Sequence, residues 1–558
     1  MRFMLVITLL QVALAVSVVH AAPPTTADSL PAITEGDWAA AELILSDVLE
    51  ANPNDGMAHY YLAVSFDSLG ECHNAIPHFD QALELGANAG RNGMRRAVLG
   101  RAKCEAILGL DDAAIASVDQ AWRNWGFDDF ASIAEDEAFS ALAQTPAFRE
   151  LAGWIDATDR TSRWQADIDY YGRLVIETHP NPFHTAREEE WLRELSELRA
   201  QVPDLTDNEI VSGLMHLASM IGDGHTSTYF PIQGEGAWSL VPIYPIQLAD
   251  GWYVLSAPNE HADILGARIV GAGDLSMAEL MTFARNHLPA DNHYTADWLA
   301  GLLLQTYEFY VLAGALDDGG DVILRLETQD GAVSPYRLSP TAIDRNPNDR
   351  NAPENWANMY GVSNGDSLWL RERNHTHFKT EMSPGIIYAQ VNQIADDEGR
   401  SLAEFGEQLL AQLRETEAQT LILDLRHNNG GNANLAQPFV RSLMNYPPLV
   451  ERGSLLVLTG PRSYSATMYL IGALEQYFDP IQIGRPSGGR PSFYSTERGF
   501  RLPYSGIEGS ISARMHIDGF SADDHRPAFF PDYLIWPSGA DVREGEDPVV
   551  NLAVELAR

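Results

Sequence analysis

Apolar residues recur at helical spacing through roughly the first 220 positions, and in short, nearly unbroken strand-like runs through the last third. In 208-NEIVSGLMHLASMIG-222, Ile210, Leu214, Leu217 and Ile221 share one face. Thr206-Asp207 in front marks a helix start, and the break falls at 222-GDGHTSTYF-230. Between 240 and 340, strand-like pieces (252-WYVLSAP-258, 268-RIVGAG-273, 321-DVILRLET-328) mix with helical stretches near 277–288 and 294–313. The Gly- and Asn-rich segment 346–366 predicts a linker or long surface loop. Beyond it, strands at 386–392, 420–427, 453–460 and 481–484 alternate with helices at 400–415, 432–444 and 465–478. Such alternation predicts a sheet covered by helices. Ligands of open sheets of this kind sit at the carboxyl ends of the strands.

The early helical region repeats itself. Aligning 36-GDWAAAELILSDVLEANPND-55 with 70-GECHNAIPHFDQALELGANA-89 matches Gly36 to Gly70, Ala41 to Ala75 and Leu49 to Leu83, at a period of 34 residues. A looser copy follows at 109–122; 57–70 and 94–109 supply the intervening helices, and 131–153 reads as a closing pair. The segment resembles a tetratricopeptide array with one irregular repeat. In such an array Cys72 and Cys104 come to adjacent positions, so either a disulfide or two small buried thiols is expected there.

The first residues, MRFMLVITLLQVALAVSVVHAAPP, place Arg2 before an apolar core and small residues, followed by Pro and Thr. This predicts a secretory signal peptide over 1–21 and a periplasmic or secreted protein with no membrane span. The expected layout is multidomain: helical repeats over 33–155, a helical part over 160–235, a mixed α/β part over 240–340 and an α/β part over 367–558. A formal charge of -40, with Lys103 and Lys379 the only lysines, repels phosphate backbones and excludes nucleic-acid binding.

Two strand ends carry chemistry. After 421-LILDLR-426 comes 427-HNNGG-431, whose glycine turn exposes backbone N–H groups; after 455-LLVLTG-460 comes 461-PRSYSAT-467 at a helix start. Ser463 and Ser465 each read as a helix cap or as a nucleophile. The N–H groups of Gly430, Gly431 and Ala466 are candidate oxyanion donors beside Ser465.

Together, 421-LILDLRHNNGG-431, 457-VLTGPRSYSAT-467, 483-IGRPSGGRPSFY-494, 177-ETHPNPF-183 and 222-GDGHTSTY-229 resemble the C-terminal processing (tail-specific) serine peptidases over roughly 160–558. The resemblance implies a crotonase-like catalytic domain and places the nucleophile at Ser465. Many bacterial members activate that serine with a downstream lysine, and no lysine follows Lys379 here. His225 in G-D-G-H-T matches the tricorn-like and chlamydial-protease-like branch, which implies Ser-His-acid chemistry with His225 as base. The same branch points to an acid in 521-SADDHRPAFFPDYLIW-536, at Asp524 or Asp523. Residues 252–280 loosely resemble a PDZ-like module without a recognisable carboxylate-binding loop.

These features predict an exported serine peptidase acting on a peptide or protein substrate, with a possible protein partner on the repeats. The alternatives are an inactive binding protein on the same scaffold and an esterase. No metal-ligand spacing or phosphate-cradling loop occurs, so no cofactor and no metal are expected.

Overall fold

The computed structural model describes residues 24–86, 90–154, 156–234, 236–342, 352–359, 367–519 and 523–557. The expected signal peptide lies outside the described residues, as does most of the expected loop over 346–366. Inside that loop Ala357–Asn358 adds a short strand against Ser256–Ala257. The chain divides into two compact units after Ala152. No helix among the described residues is long and apolar enough to cross a membrane.

The first unit is helical: Thr26–Glu35, Trp38–Ala51, Gly56–Ser68, Cys72–Glu84, Gly90–Ile107 and Asp111–Trp125, each packed on the next. Gly36, Gly70 and Gly109 all have positive φ (75°, 78° and 71°), so each reverses the chain between one helix and the next without a Cβ penalty. Ala41, Leu45 and Val48 pack on Ala58 and Leu62, and Phe79 lies against Gly100, where a Cβ would meet the ring at 2.5 Å. Cys72 and Cys104 are buried free thiols. Their sulfur atoms and an Asp67 carboxylate oxygen lie within 4.8 Å of one another. The expected closing helix pair over 131–153 is broken into Phe130–Glu135, two 3-10 turns and Pro146–Leu151. Asp136 and Thr145 each cap a new start there, which divides the segment.

The second unit opens with helices Arg160–Thr178, Glu188–Gln201 and Asp207–Ile221. The third starts on a reciprocal Thr206/Glu209 capping box and stops at Gly222, whose φ of 75° turns the chain into the loop that carries His225. An antiparallel sheet follows, built on Tyr244–Leu248, Gly251–Ala257, Arg268–Ala272, Val322–Glu327 and Val333–Leu338. The helical stretch expected at 294–313 is two helices, His293–Leu303 and Tyr307–Leu312, because the chain turns at Leu304–Thr306.

A six-stranded sheet forms the rest, in the order His377–Ser383, Ile386–Val391, Thr420–Asp424, Leu455–Thr459, Ile481–Gly484, Tyr533–Leu534. The first pair is antiparallel and the others parallel. Its central strands are buried on both faces. Ile387, Leu421, Leu423 and Val457 meet the helices carrying Phe405, Leu409 and Phe439; Ile386, Tyr388, Ile422 and Leu456 meet Val549, Val550 and Ala553 of Pro548–Leu556. This explains the unbroken apolar runs in the sequence. Asp424 and Arg426 of the D-L-R stretch are structural: the buried Arg426 guanidinium donates to Asp424 and, at 3.0 and 2.8 Å, to Asp547. That bond ties the end of one central strand to the last helix and fixes where the following turn begins.

Candidate active site

Two strand ends and one distant loop meet in this fold. Thr420–Asp424 leads into the Gly-Gly turn, and Leu455–Thr459 into the loop before helix Ala466–Tyr477. Asn428 joins them: its carbonyl oxygen accepts from Tyr464 N–H (3.0 Å), and its side-chain oxygen accepts from the Thr467 hydroxyl (2.7 Å).

The two serines separate cleanly. Ser463 is fully buried; its hydroxyl donates to Leu425 O (2.9 Å) and accepts from Gly460 N–H (3.1 Å), so it fastens the loop. Ser465 precedes the helix without capping it. Its hydroxyl instead lies 3.0 Å from His225 Nε2. Its backbone has φ 56° and ψ -126°, a conformation that a side-chain-bearing residue adopts at a cost of about 1–3 kcal/mol. Such strain presents the hydroxyl away from its own helix.

His225 is buried, with its ring stacked on Tyr464 (centroids 4.8 Å apart) and on Phe493 (5.6 Å). Both ring nitrogens are engaged. Nδ1 lies 2.9 Å from the Tyr464 hydroxyl, and Nε2 has the Glu497 carboxylate at 3.5 Å as well as Ser465. Asp223 lies 4.0 Å from Nδ1 and accepts the His225 backbone N–H at 2.8 Å. Burial alone would raise the Asp223 carboxyl, but bonds from His179 and Thr226 and the nearby His225 hold it below the ordinary carboxylate range.

A second buried acid stands behind the histidine. Asp291 Oδ1 accepts the Gly224 N–H at 3.2 Å. Burial, with the like charge of Asp223 adding to it, pushes this carboxyl up to about 6, despite opposing effects of His225 and Arg490. The Tyr464 hydroxyl is held well above its ordinary value by burial first and then by Asp291 and Asp223, so it stays neutral. Asp291 acts on that hydroxyl as a close neighbour, although its Oδ2 meets no donor at strict hydrogen-bond geometry. Gly224 makes room for the arrangement, because a Cβ there would lie 2.1 Å from the tyrosine oxygen. Gly224→Ala is expected to push the phenol off Nδ1 and to slow Ser465 acylation at least about tenfold, measured as the rate of covalent labelling.

Of the acids expected from sequence, Asp524 is bound instead to the Arg526 guanidinium (2.9 Å), which also grips Glu475 (2.7 Å), and Asp523 is exposed. Local pairing two residues apart has taken the Asp524 carboxylate. The expected oxyanion donors also divide. The Gly430 N–H is committed to Asn428 Oδ1 at 3.0 Å, so it is not available to a substrate oxygen. Gly430 contributes through what it lacks: at φ 106°, a Cβ would lie 2.6 Å from Ser465 Cβ. Among the described residues, neither the N–H of Gly431 nor that of Ala466, the first residue of its helix, donates to another backbone group.

Tyr464, Asp291 and Glu497 are the residues that sequence reasoning missed. Only Tyr464 carried a signal, as the neighbour of the chosen serine. A cleft of about 1550 Å³ opens beside Ser465 and His225, bordered by Tyr229, Phe230, Glu497 and Arg501.

The fold is similar to that of mature CPAF. The structure of mature CPAF complexed with lactacystin superimposes with a TM-score of 0.50 at 10% identity, covering 71% of this chain and 98% of that one. The photosystem II D1 C-terminal processing protease (TM-score 0.34, 14% identity, 67% and 93% covered) and the tricorn protease (0.33, 14%, 72% and 37%) also match. No protein-family model matches the sequence, and neither does a curated protein.

Proposed function

We propose that the second unit is a serine peptidase that cleaves peptide bonds through an acyl-enzyme, with Ser465 as nucleophile and His225 as general base and acid. The observation that carries this reading is the 3.0 Å approach of His225 Nε2 to the hydroxyl of a backbone-strained Ser465. Nε2 takes the hydroxyl proton as Oγ bonds to the substrate carbonyl carbon. The resulting oxyanion is held by the Ala466 and Gly431 N–H groups at the positive end of helix Ala466–Tyr477. Nε2–H then protonates the leaving amine, and a water activated by the same nitrogen hydrolyses the ester.

For Nε2 to accept a proton, Nδ1 must carry one, and it donates that proton to the Tyr464 oxygen. The tyrosine O–H then points toward Asp291, and a small rotation of the carboxyl completes the link. The acid of the relay is therefore Asp291, acting through Tyr464, in the role that sequence assigned to Asp524 or Asp523. Glu497 stands on the other nitrogen, where its charge favours the imidazolium once Ser465 has given up its proton. The size of the cleft favours a peptide over a small ester.

In this reading the six-stranded sheet is a crotonase-like core. The helical unit before Gly153 is a tetratricopeptide-like docking surface, and residues 1–21 direct export. The decisive experiment is reaction with a fluorophosphonate, followed by mass mapping of the adduct and hydrolysis of a peptide panel. An adduct on Ser465 with peptide turnover is expected. Folded protein that forms no adduct would overturn the enzyme and leave the binding protein.

A further inference from the structure

A second cavity, of about 110 Å³, lies behind the catalytic loops, between the antiparallel sheet and the six-stranded sheet. Its wall has an unusual composition for a protein with a formal charge of -40: four arginines, one histidine and no carboxylate among the described lining residues. Each arginine lies over an aromatic ring. Arg462 stands 5.4 Å from the Trp298 ring and Arg485 5.9 Å from that of Trp536. Arg373 stands 5.6 Å from the Tyr244 ring and Arg426 4.8 Å from that of Trp369. Guanidinium planes held this way direct their N–H edges in fixed directions, as recognition of a planar oxyanion requires.

The four are not equivalent. Arg426 already has Asp424 and Asp547 as partners and contributes chiefly structure. Arg485 donates to a neutral acceptor, Gln247 Oε1, at 2.9 Å. Burial pushes its guanidinium below the ordinary arginine value, with Asp297 offsetting part of the effect. A cation in that position gains from an anion delivered to it. The rest of the wall is mostly apolar and includes the indoles of Trp252, Trp298, Trp369 and Trp536, with Gln247 and Gln305 adding neutral amides.

We propose that this cavity is a binding site for a small organic acid, a carboxylate carried on a flat, apolar ring, with the carboxylate on Arg485 and Arg462 and the ring between the indoles. The volume suits a single ring with its acid group, and a free small acid is therefore the occupant rather than the end of a peptide. The site adjoins the catalytic machinery. Pro461 and Arg462 precede the nucleophile, His427 opens the Gly-Gly turn, and Trp298 borders both this cavity and the substrate cleft. The Trp298 ring also lies 5.9 Å from that of Tyr464, whose hydroxyl meets His225.

Calorimetric titration of the full chain tests the site without using turnover, so the result stands whether or not Ser465 reacts. Benzoate and phenylacetate are compared with their neutral primary amides, with inorganic phosphate, and with a short peptide ending in a free phenylalanine. The acids are expected to bind at least about tenfold more tightly than their amides, more weakly as salt rises, and more tightly than phosphate or the peptide. Arg485→Gln is expected to weaken the acids about tenfold while leaving the amides unchanged. Equal binding of acid and amide by the unmodified protein overturns the proposal, as does no binding of either at about 10 mM. Tight binding of the peptide alone also overturns it, since that would make the cavity a subsite for chain ends. The acid-against-amide comparison needs no variant, so a misfolded Arg485→Gln protein does not remove the test.

Discussion

Ser465→Ala is expected to lower peptide hydrolysis by on the order of a hundred-thousand-fold to a million-fold while the protein remains folded. The hydroxyl is the only atom lost, and it does not cap its helix, so the circular dichroism spectrum and the melting cooperativity should match those of the unmodified protein. A companion variant separates chemistry from strain. With φ 56° and ψ -126°, position 465 has a backbone that glycine adopts far more readily than alanine. Ser465→Gly should therefore be as inactive as Ser465→Ala yet more stable by about 1–3 kcal/mol, read from paired denaturant titrations. Hydrolysis that survives either change at more than about a hundredth of the original rate would mean that another group attacks the substrate. Equal stability of the two variants would mean that the backbone at 465 relaxes, and that the hydroxyl is not held out under strain.

How much of this was legible in advance depended on the range of the interaction that decided it. The start of helix Asp207–Ile221 was readable at Thr206 because its cap is local, the Thr206 side chain accepting the Glu209 N–H within one turn. The parallel strands were readable because burial on two faces leaves no polar alternation. Ser465 and His225, 240 residues apart, were brought together by motif resemblance rather than by periodicity. Local competition defeated two expectations. The Asn428 side chain takes the Gly430 N–H two residues on, and Arg526 takes Asp524. Asp291 left no trace at all. It stands in an irregular turn just before the Asn292 cap, and only the packing of that turn against Gly224 brings its charge to Tyr464.

Asp291→Asn should make the protein more stable near neutral pH and far less active, a combination that a purely structural acid would not produce. The side chain is buried, and burial lifts its carboxyl to about 6. Below about pH 4 the group is protonated in both folded and unfolded chains, and the variant gains nothing. As pH rises from about 4 to 6 the unfolded chain ionises while the folded one resists. The unmodified protein thereby loses up to about 3 kcal/mol of stability that the neutral amide keeps. Asparagine can still accept the Gly224 N–H through Oδ1, so the loop that carries His225 should stay in place. Catalysis responds in the opposite direction. Without a negative charge behind Tyr464, the tyrosine no longer holds Nδ1–H in the productive tautomer, and the imidazolium formed during acylation loses its counter-charge. A fall in kcat of about a hundredfold to ten-thousandfold follows, with KM little changed. Tyr464→Phe keeps the ring stacked on His225 but removes the link. It should lose about as much as Asp291→Asn does, and adding Asp291→Asn to it should cost little more, because the two residues act on the histidine in series. Additive losses in the double variant would place Asp291 outside the relay. A stability difference between Asp291→Asn and the unmodified protein that stays flat from pH 4 to 7 would show that burial does not lift the carboxyl above the ordinary range.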